Sequence, residues 1–197
     1  MPYIRETILT TADGNGKVHI APIGIISESD GWVIAPFRPS ATLDNLGELP
    51  FAVANYTDDV RIFAGCLTGR RDWPTLPVAG CPVPRLASAL SHSVLEVVDI
   101  SDDGIRPRHF CRVVSEDTHA PFTGFNRAKS AVLELAILVS RLGMLPREKI
   151  DMEIEYLSIA IEKTAGADEK EAWGWLMHKV TDYFAGEDAG GAEARRG

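Results

Sequence analysis

The N-terminal half of the chain alternates short β-prone runs with tight turns. Glu6–Thr11 reads as a strand, and Ala12-Asp13-Gly14-Asn15-Gly16 after it holds two Asx-Gly pairs, the strongest short hairpin signal. Val18–Ile26 is the return strand, Ser29-Asp30-Gly31 the next turn and Trp32–Ala35 a third strand. Pro22 and Gly24 interrupt the return strand. Gly24 leaves one face open, and the pair predict a bulge, or a place where something flat approaches the backbone, or else a strand at a sheet edge. Phe51–Tyr56 is a fourth strand, closed by Thr57-Asp58-Asp59. Val60–Ala64 alternates in period two and fits a strand or a short helix. Leu67–Leu90, with Pro74, Pro77, Pro82 and Pro84, reads as an irregular surface excursion. Ser93–Ile100 and Arg108–Val114 pair around the turn Asp102-Asp103-Gly104. About six antiparallel strands with short turns predict a small barrel or sandwich.

The periodicity changes near His119. After a linker, a helix starts behind Asn126 and runs to about Leu142; it is nearly all apolar between Ala131 and Val139 and so expects burial on most sides. Gly143 ends it and Pro146 opens a second helix, striped by Ile150, Ile154, Leu157 and Ile161. Gly166 breaks that helix, and a third carries Trp173, Leu176, Met177, Val180 and Phe184 on one face. The predicted class is α+β, mainly β: residues 1–118 form the β domain, 119–186 a three-helix region, and 187–197 a disordered tail.

Size and composition change this picture little: 197 residues, 45% apolar and 24% charged, are ordinary for a globular protein. No run approaches the twenty apolar residues of a spanning helix, so no membrane role is expected. The N-terminus lacks the pattern of a signal peptide. Cys66, Cys81 and Cys111 form no Cys-x-x-Cys, which predicts reduced thiols in a cytoplasmic protein. Charge says more. The net charge is −8, and the acidic excess lies mainly from Asp151 onward. An acidic C-terminal part argues against nucleic-acid binding and leaves room for a local basic pocket in the first part.

The candidate chemistry centres on Ala35–Leu46. Pro36 and Pro39 stop the third strand, and Thr42-Leu43-Asp44-Asn45-Leu46 begins a short helix capped by Ser40 or Thr42. A helix start offers unpaired N–H groups to an anion. Arg38, the Ser40 and Thr42 hydroxyls and the Asn45 amide add donors, a set suited to a phosphate. The plain alternative is a strand–turn–helix whose Arg38 pairs with an acidic neighbour. Arg127 and Lys129 place two cations in a first helical turn behind Asn126, against the helix dipole. Either they face solvent and acidic helices, or Lys129 helps to hold the same anion. The five histidines have no metal-ligand spacing, and no metal site is expected. No Gly-x-Ser-x-Gly is present, and Gly14-Asn15-Gly16 precedes a strand rather than a helix, unlike a dinucleotide fingerprint.

Glu6–Thr11, Ala21-Pro22-Ile23-Gly24, Pro36-Phe37-Arg38-Pro39-Ser40-x-Thr42-Leu43-x-Asn45-Leu46, Asn55-x-Thr57-Asp58-Asp59-Val60-Arg61-x-Phe63 and Phe125-Asn126-Arg127-Ala128-Lys129 together resemble the ordered signature of the DUF447 family. The resemblance implies a flavin-reductase-like split β-barrel with a C-terminal helical domain, homodimeric and binding FMN non-covalently. It implies a phosphate held by Arg38, Ser40, Thr42, Asn45 and Lys129. The ring would lie along Ala21, Pro22 and Ile23 with Pro36 and Phe37 beside it. Asn55 would line the pocket, and Asn126 would either reach the phosphate or cap its helix. The chain departs from the pattern at His19-Ile20, so no ring contact is assigned to position 19. The expected function is an FMN-dependent oxidoreductase; the alternative is a non-catalytic FMN carrier, sensor or scaffold in C1- or pterin-linked metabolism.

Overall fold

The computed structural model describes residues 2–102 and 104–194, with side chains described as far as residue 186. Its strands are β1 (Ile4–Ala12), β2 (Val18–Glu28), β3 (Gly31–Ile34), β4 (Phe51–Tyr56), β5 (Thr75–Val78), β6 (Cys81–Leu86), β7 (Ser91–Ser101) and β8 (Arg108–Thr118). The helices are α1 (Ala41–Glu48), α2 (Val60–Leu67), α3 (Arg127–Val139), α4 (Arg147–Thr164) and α5 (Ala167–Ala194). The chain divides into two compact units. One joins the residues up to Asp58 with Arg71–Thr123; the other joins Asp59–Arg70 with the chain from Gly124 onward.

The first unit is a closed antiparallel barrel in the order β1-β2-β3-β8-β7-β4, with β4 returning to β1. Period-two patterning sends one face of each strand inward. Leu9, Ile25, Ile34, Ala52, Ala54, Leu95 and Cys111 meet there, and Leu46 of α1 joins them. Each large side chain so enclosed stabilises the unit by about 1.5–3 kcal/mol. Burial also pushes the Cys111 thiol up to about 12. Only glycine fits at position 31, where a Cβ would stand 2.2 Å from the Cys111 carbonyl oxygen. At the rim, the Arg5 guanidinium lies 4.9 Å from the Trp32 ring centre and 5.0 Å from that of Tyr56.

β2 pairs with β1 without a slip, from Ile4 opposite Ile26 to Ala12 opposite Val18. The expected bulge is therefore absent. β2 meets β3 only over Ile26–Glu28, so its stretch from Val18 to Ile25 has one edge outside any ladder. This is the edge alternative, and it accommodates Pro22, which has no N–H to donate. Gly24 does not open the strand's face as expected: a Cβ there would meet Ile4 Cγ2 at 2.8 Å and Glu6 Oε1 at 3.2 Å, so β1 side chains already fill the space.

One other expectation is corrected, and one open alternative is decided. The Leu67–Leu90 stretch contains a hairpin, β5–β6, turned at Gly80 with φ +73°. It packs on the outer face of β1 and β4, where Val83 joins Ala12, Val53 and Val94. Val60–Leu67 is a helix, not a strand. Asp59 caps it by accepting from the Arg61 N–H at 3.1 Å, and its apolar face buries Ile62, Phe63, Ala64 and Cys66.

That apolar face is why α2 belongs to the second unit, where it packs on α3 and α5. The expected division at 118/119 differs from the compact units for this reason. α3 buries Ala131, Val132, Leu135, Ala136, Leu138 and Val139, as its apolar run predicts. α5 buries Leu176, Val180 and Phe184 and continues past Gly186 to Ala194, into the expected tail; residues 195–197 of that tail lie outside the described residues. Among the described residues no helix is long and apolar enough to cross a membrane.

Candidate functional site

β3 ends at Ile34, and the chain turns through Pro36, Phe37, Arg38 and Pro39 into α1. Ser40 is the N-cap, in extended conformation, and its hydroxyl makes no cap hydrogen bond. Its carbonyl accepts from Leu43 N and Asp44 N, and the amides ahead of these have no intrahelical acceptor, as at any helix start. The half-buried Ser40 hydroxyl and these amides are thus donors within the first turn of one helix. Thr42 and Asn45 face the other way. Thr42 is 1% exposed, and Asn45, 8% exposed, donates to Thr11 Oγ1 at 3.0 Å. Their side chains lie on the side of α1 that also carries Leu43 and Leu46, while the Thr42 N–H remains among the amides of the helix start.

The β7–β8 turn folds onto this segment. Arg38 N donates to Ile105 O at 3.1 Å. Arg106 Nε donates to Ala35 O, and its guanidinium sits 4.9 Å from the centre of the exposed Phe37 ring. Arg38 Nη2 pairs with Asp102 Oδ2 at 2.6 Å, both side chains about half exposed. The acidic neighbour anticipated for Arg38 is therefore present. The other Asp102 oxygen, Oδ1, accepts from Gly104 N at 2.8 Å and holds the turn. His109, on β8 opposite Ile34, is 5% exposed and its Nδ1 has no hydrogen-bond partner. Burial holds its pKa below the ordinary histidine value, and the Arg38 charge lowers it further. Sequence reading found neither Arg106 nor His109, and took Asp102 only as a turn residue.

Ala21, Pro22 and Ile23 are half-buried on the stretch of β2 with the open edge. The Ile23 carbonyl accepts the Thr7 hydroxyl at 2.8 Å. Asn55 has a different place. It is fully enclosed, donating to Ile8 O at 2.9 Å and Val53 O at 3.0 Å while accepting from Leu86 N at 2.7 Å. Its amide fastens the β5–β6 hairpin to the barrel, with its N–H groups donating to β1 and β4 and its oxygen accepting from β6. Asn126 and Lys129 stand in the second unit. Asn126 caps α3, accepting from Ala128 N and Lys129 N and donating to Thr164 O at 3.0 Å, so its capping alternative is the one observed. Lys129 is half-buried in the first turn of the same helix.

The barrel with its split between β2 and β3 defines a class of fold shared with flavin reductases. A solved flavin reductase, PheA2, superposes with a TM-score of 0.50 at 18% identity, covering 58% of this chain and 78% of its own. The 2-nitrobenzoate 2-nitroreductase of Pseudomonas fluorescens gives 0.50 at 22% identity, over 60% and 64% of the two chains. The family itself follows from sequence. The model described as "Protein of unknown function (DUF447) N-terminal domain" matches residues 5–120 and that described as "Protein of unknown function (DUF447)" matches 126–178, so the chain belongs to the DUF447 family. An FMN-bound DUF447 protein from Methanosarcina mazei superposes with a TM-score of 0.76 at 20% identity, over 89% of this chain and 94% of that one. No curated protein matches the sequence.

Proposed function

We propose that the chain binds FMN non-covalently in the barrel unit and acts as an FMN-dependent oxidoreductase. The observation that carries this is a guanidinium and an uncapped helix start, Arg38 with Ser40, in a barrel whose β2 leaves an edge unpaired. The residues fit the group on three counts. A phosphate dianion suits Arg38, the Ser40 hydroxyl and the first amides of α1. The alternating donors and acceptors on the edge of an isoalloxazine suit the β2 edge along Ala21, Pro22 and Ile23 that lies outside any ladder, with Pro36 and Phe37 as apolar neighbours. His109, opposite Ile34 where β3 runs into this segment, has a buried Nδ1 without a hydrogen-bond partner, where such a nitrogen ordinarily has one. Bound flavin supplies hydride or electron transfer, so the protein's part is to bind, orient and shield it. The family resemblance further suggests a homodimer in the cytoplasm. The exposed apolar side chains of Phe37, Val98, Ile100 and Ile105 support a partner subunit covering this face.

An absorption spectrum of the purified protein, with acid release and mass of the chromophore, tests the cofactor. Flavin bands near about 370 and 450 nm with the mass of FMN are expected. Arg38→Ala should then weaken FMN by about 1.5–3 kcal/mol, roughly ten- to 150-fold, the loss of a charge-assisted bond. Unchanged affinity would reject the phosphate assignment. Oxidation of NAD(P)H by the loaded protein tests turnover; flavin bound without turnover with any common donor and acceptor would make the protein a carrier or sensor.

A further inference from the structure

We propose that Asp102 is a built-in competitor for the anion that Arg38 holds, and so keeps the bound flavin exchangeable. The inference rests on the reading of Arg38 as the phosphate ligand. Asp102 divides its work between its two oxygens. Oδ1 accepts from Gly104 N and shapes the turn; Oδ2 takes the Arg38 guanidinium at 2.6 Å. Shaping the turn needs one neutral acceptor, which an asparagine would supply equally well. The charge on the second oxygen faces the Arg38 guanidinium.

The backbone makes that pairing persistent. Arg38 N is tied to Ile105 O, and Arg106 bonds the Ala35 carbonyl while covering Phe37, so the turn carrying Asp102 stays on the cradle. A phosphate must therefore win the guanidinium from a carboxylate that remains nearby. It can, because it brings about −1.5 to −2 charges against −1 and three acceptor oxygens against one. A flavin without phosphate has nothing to offer in exchange. When a bound phosphate loosens, Asp102 is at hand to recapture Arg38. The carboxylate lowers affinity and speeds release, and it does so through the phosphate end alone.

The test compares wild type, D102N, R38A and the double variant, using FMN and riboflavin as probes. Affinity is read by fluorescence quenching and release by stopped flow, with thermal midpoints as the fold check. D102N keeps the acceptor for Gly104 N and should bind FMN about two- to fivefold tighter, the scale set by a half-exposed ion pair, mainly through slower release. Riboflavin affinity should not change, and D102N should have no effect in the R38A background. Equal tightening of both probes, or persistence of the effect without Arg38, would overturn the competitor. Weakening by R38A with no change in D102N would overturn it too while leaving the phosphate seat intact. R38A binding FMN as wild type does would instead remove the seat itself.

Discussion

Asn55 separates two accounts of the same residue. The family pattern places it in the cofactor pocket; its contacts make it a brace between barrel and hairpin. Asn55→Ala strands the Leu86 N–H, whose acceptor at 2.7 Å disappears, and the Ile8 and Val53 carbonyls lose donors at 2.9 and 3.0 Å. Each buried polar group left without a partner costs about 1–3 kcal/mol. The carbonyls can keep their ladder bonds, so the full cost falls on the Leu86 N–H and a partial one on Ile8. The expected loss is about 2–5 kcal/mol, a large part of the roughly 5–15 kcal/mol that holds a domain together. Urea unfolding followed by tryptophan fluorescence measures it. Hydrogen exchange should show protection lost first in Cys81–Leu86. Asn55→Asp should do no better: it retains an acceptor for Leu86 N but sets a carboxylate against two carbonyls. FMN affinity, measured where the variant is still folded, should stay near that of the wild type. A stability loss below about 1 kcal/mol together with tenfold weaker FMN would refute the brace and return Asn55 to the cofactor.

Asn126→Ala should destabilise the helical unit by about 0.5–2 kcal/mol, through the lost cap on Ala128 N and Lys129 N. Asn126→Asp keeps the cap acceptor and should recover much of that; equal losses in the two variants would argue against capping. Acidification should weaken the fold through two histidines. His92 is 2% exposed, its ring stacked on His119 with Nδ1 2.8 Å from His119 Nε2; burial, then His119, hold its pKa below the ordinary value. His109 is depressed by burial and by Arg38. Both bind a proton more readily unfolded than folded, so their contribution is complete above about pH 6.5 and is lost as pH falls from there toward the folded pKa values. The urea midpoint should therefore drop below about pH 6.5, and His92→Leu should flatten part of the slope. A midpoint that rises on acidification through that window would contradict this.

The barrel strands were legible because alternation and turn chemistry agreed: Phe51–Tyr56 is β4 to the residue, and the Asx-Gly turn joins β1 to β2. The β5–β6 hairpin was hidden by Pro77, Pro82 and Pro84, which read as loop where no other strand competes for their side of the ladder. α2 was ambiguous because the period-two alternation of Val60–Ala64 covers too few residues to tell a strand from a short helix. Arg38 and Ser40 were legible as a proline-stopped strand running into a helix start. Asp102, 64 residues away, reaches Arg38 only through the β3–β8 pairing, and nothing in local spacing announces that pairing. The burial of Thr42 and Asn45 on one side of α1 was hidden for a different reason. A short helix shows which residues it holds, but only packing decides which of its sides is covered.

The excursion of the chain from Asp59 to Arg70 carries a lesson about what is inherited together. The two family models meet near residue 120, as if the gene could be cut there into independent modules. The packing does not permit it. A fragment ending at Thr123 would keep Ile62, Phe63 and Cys66 but lose α3 and α5, the partners that cover them, and a fragment starting at Gly124 would lack the helix that fills its own interior. Each piece would carry an oily wound. Shuffling, fusion or truncation of this architecture must therefore move α2 with the C-terminal helices, or supply a new cover for it.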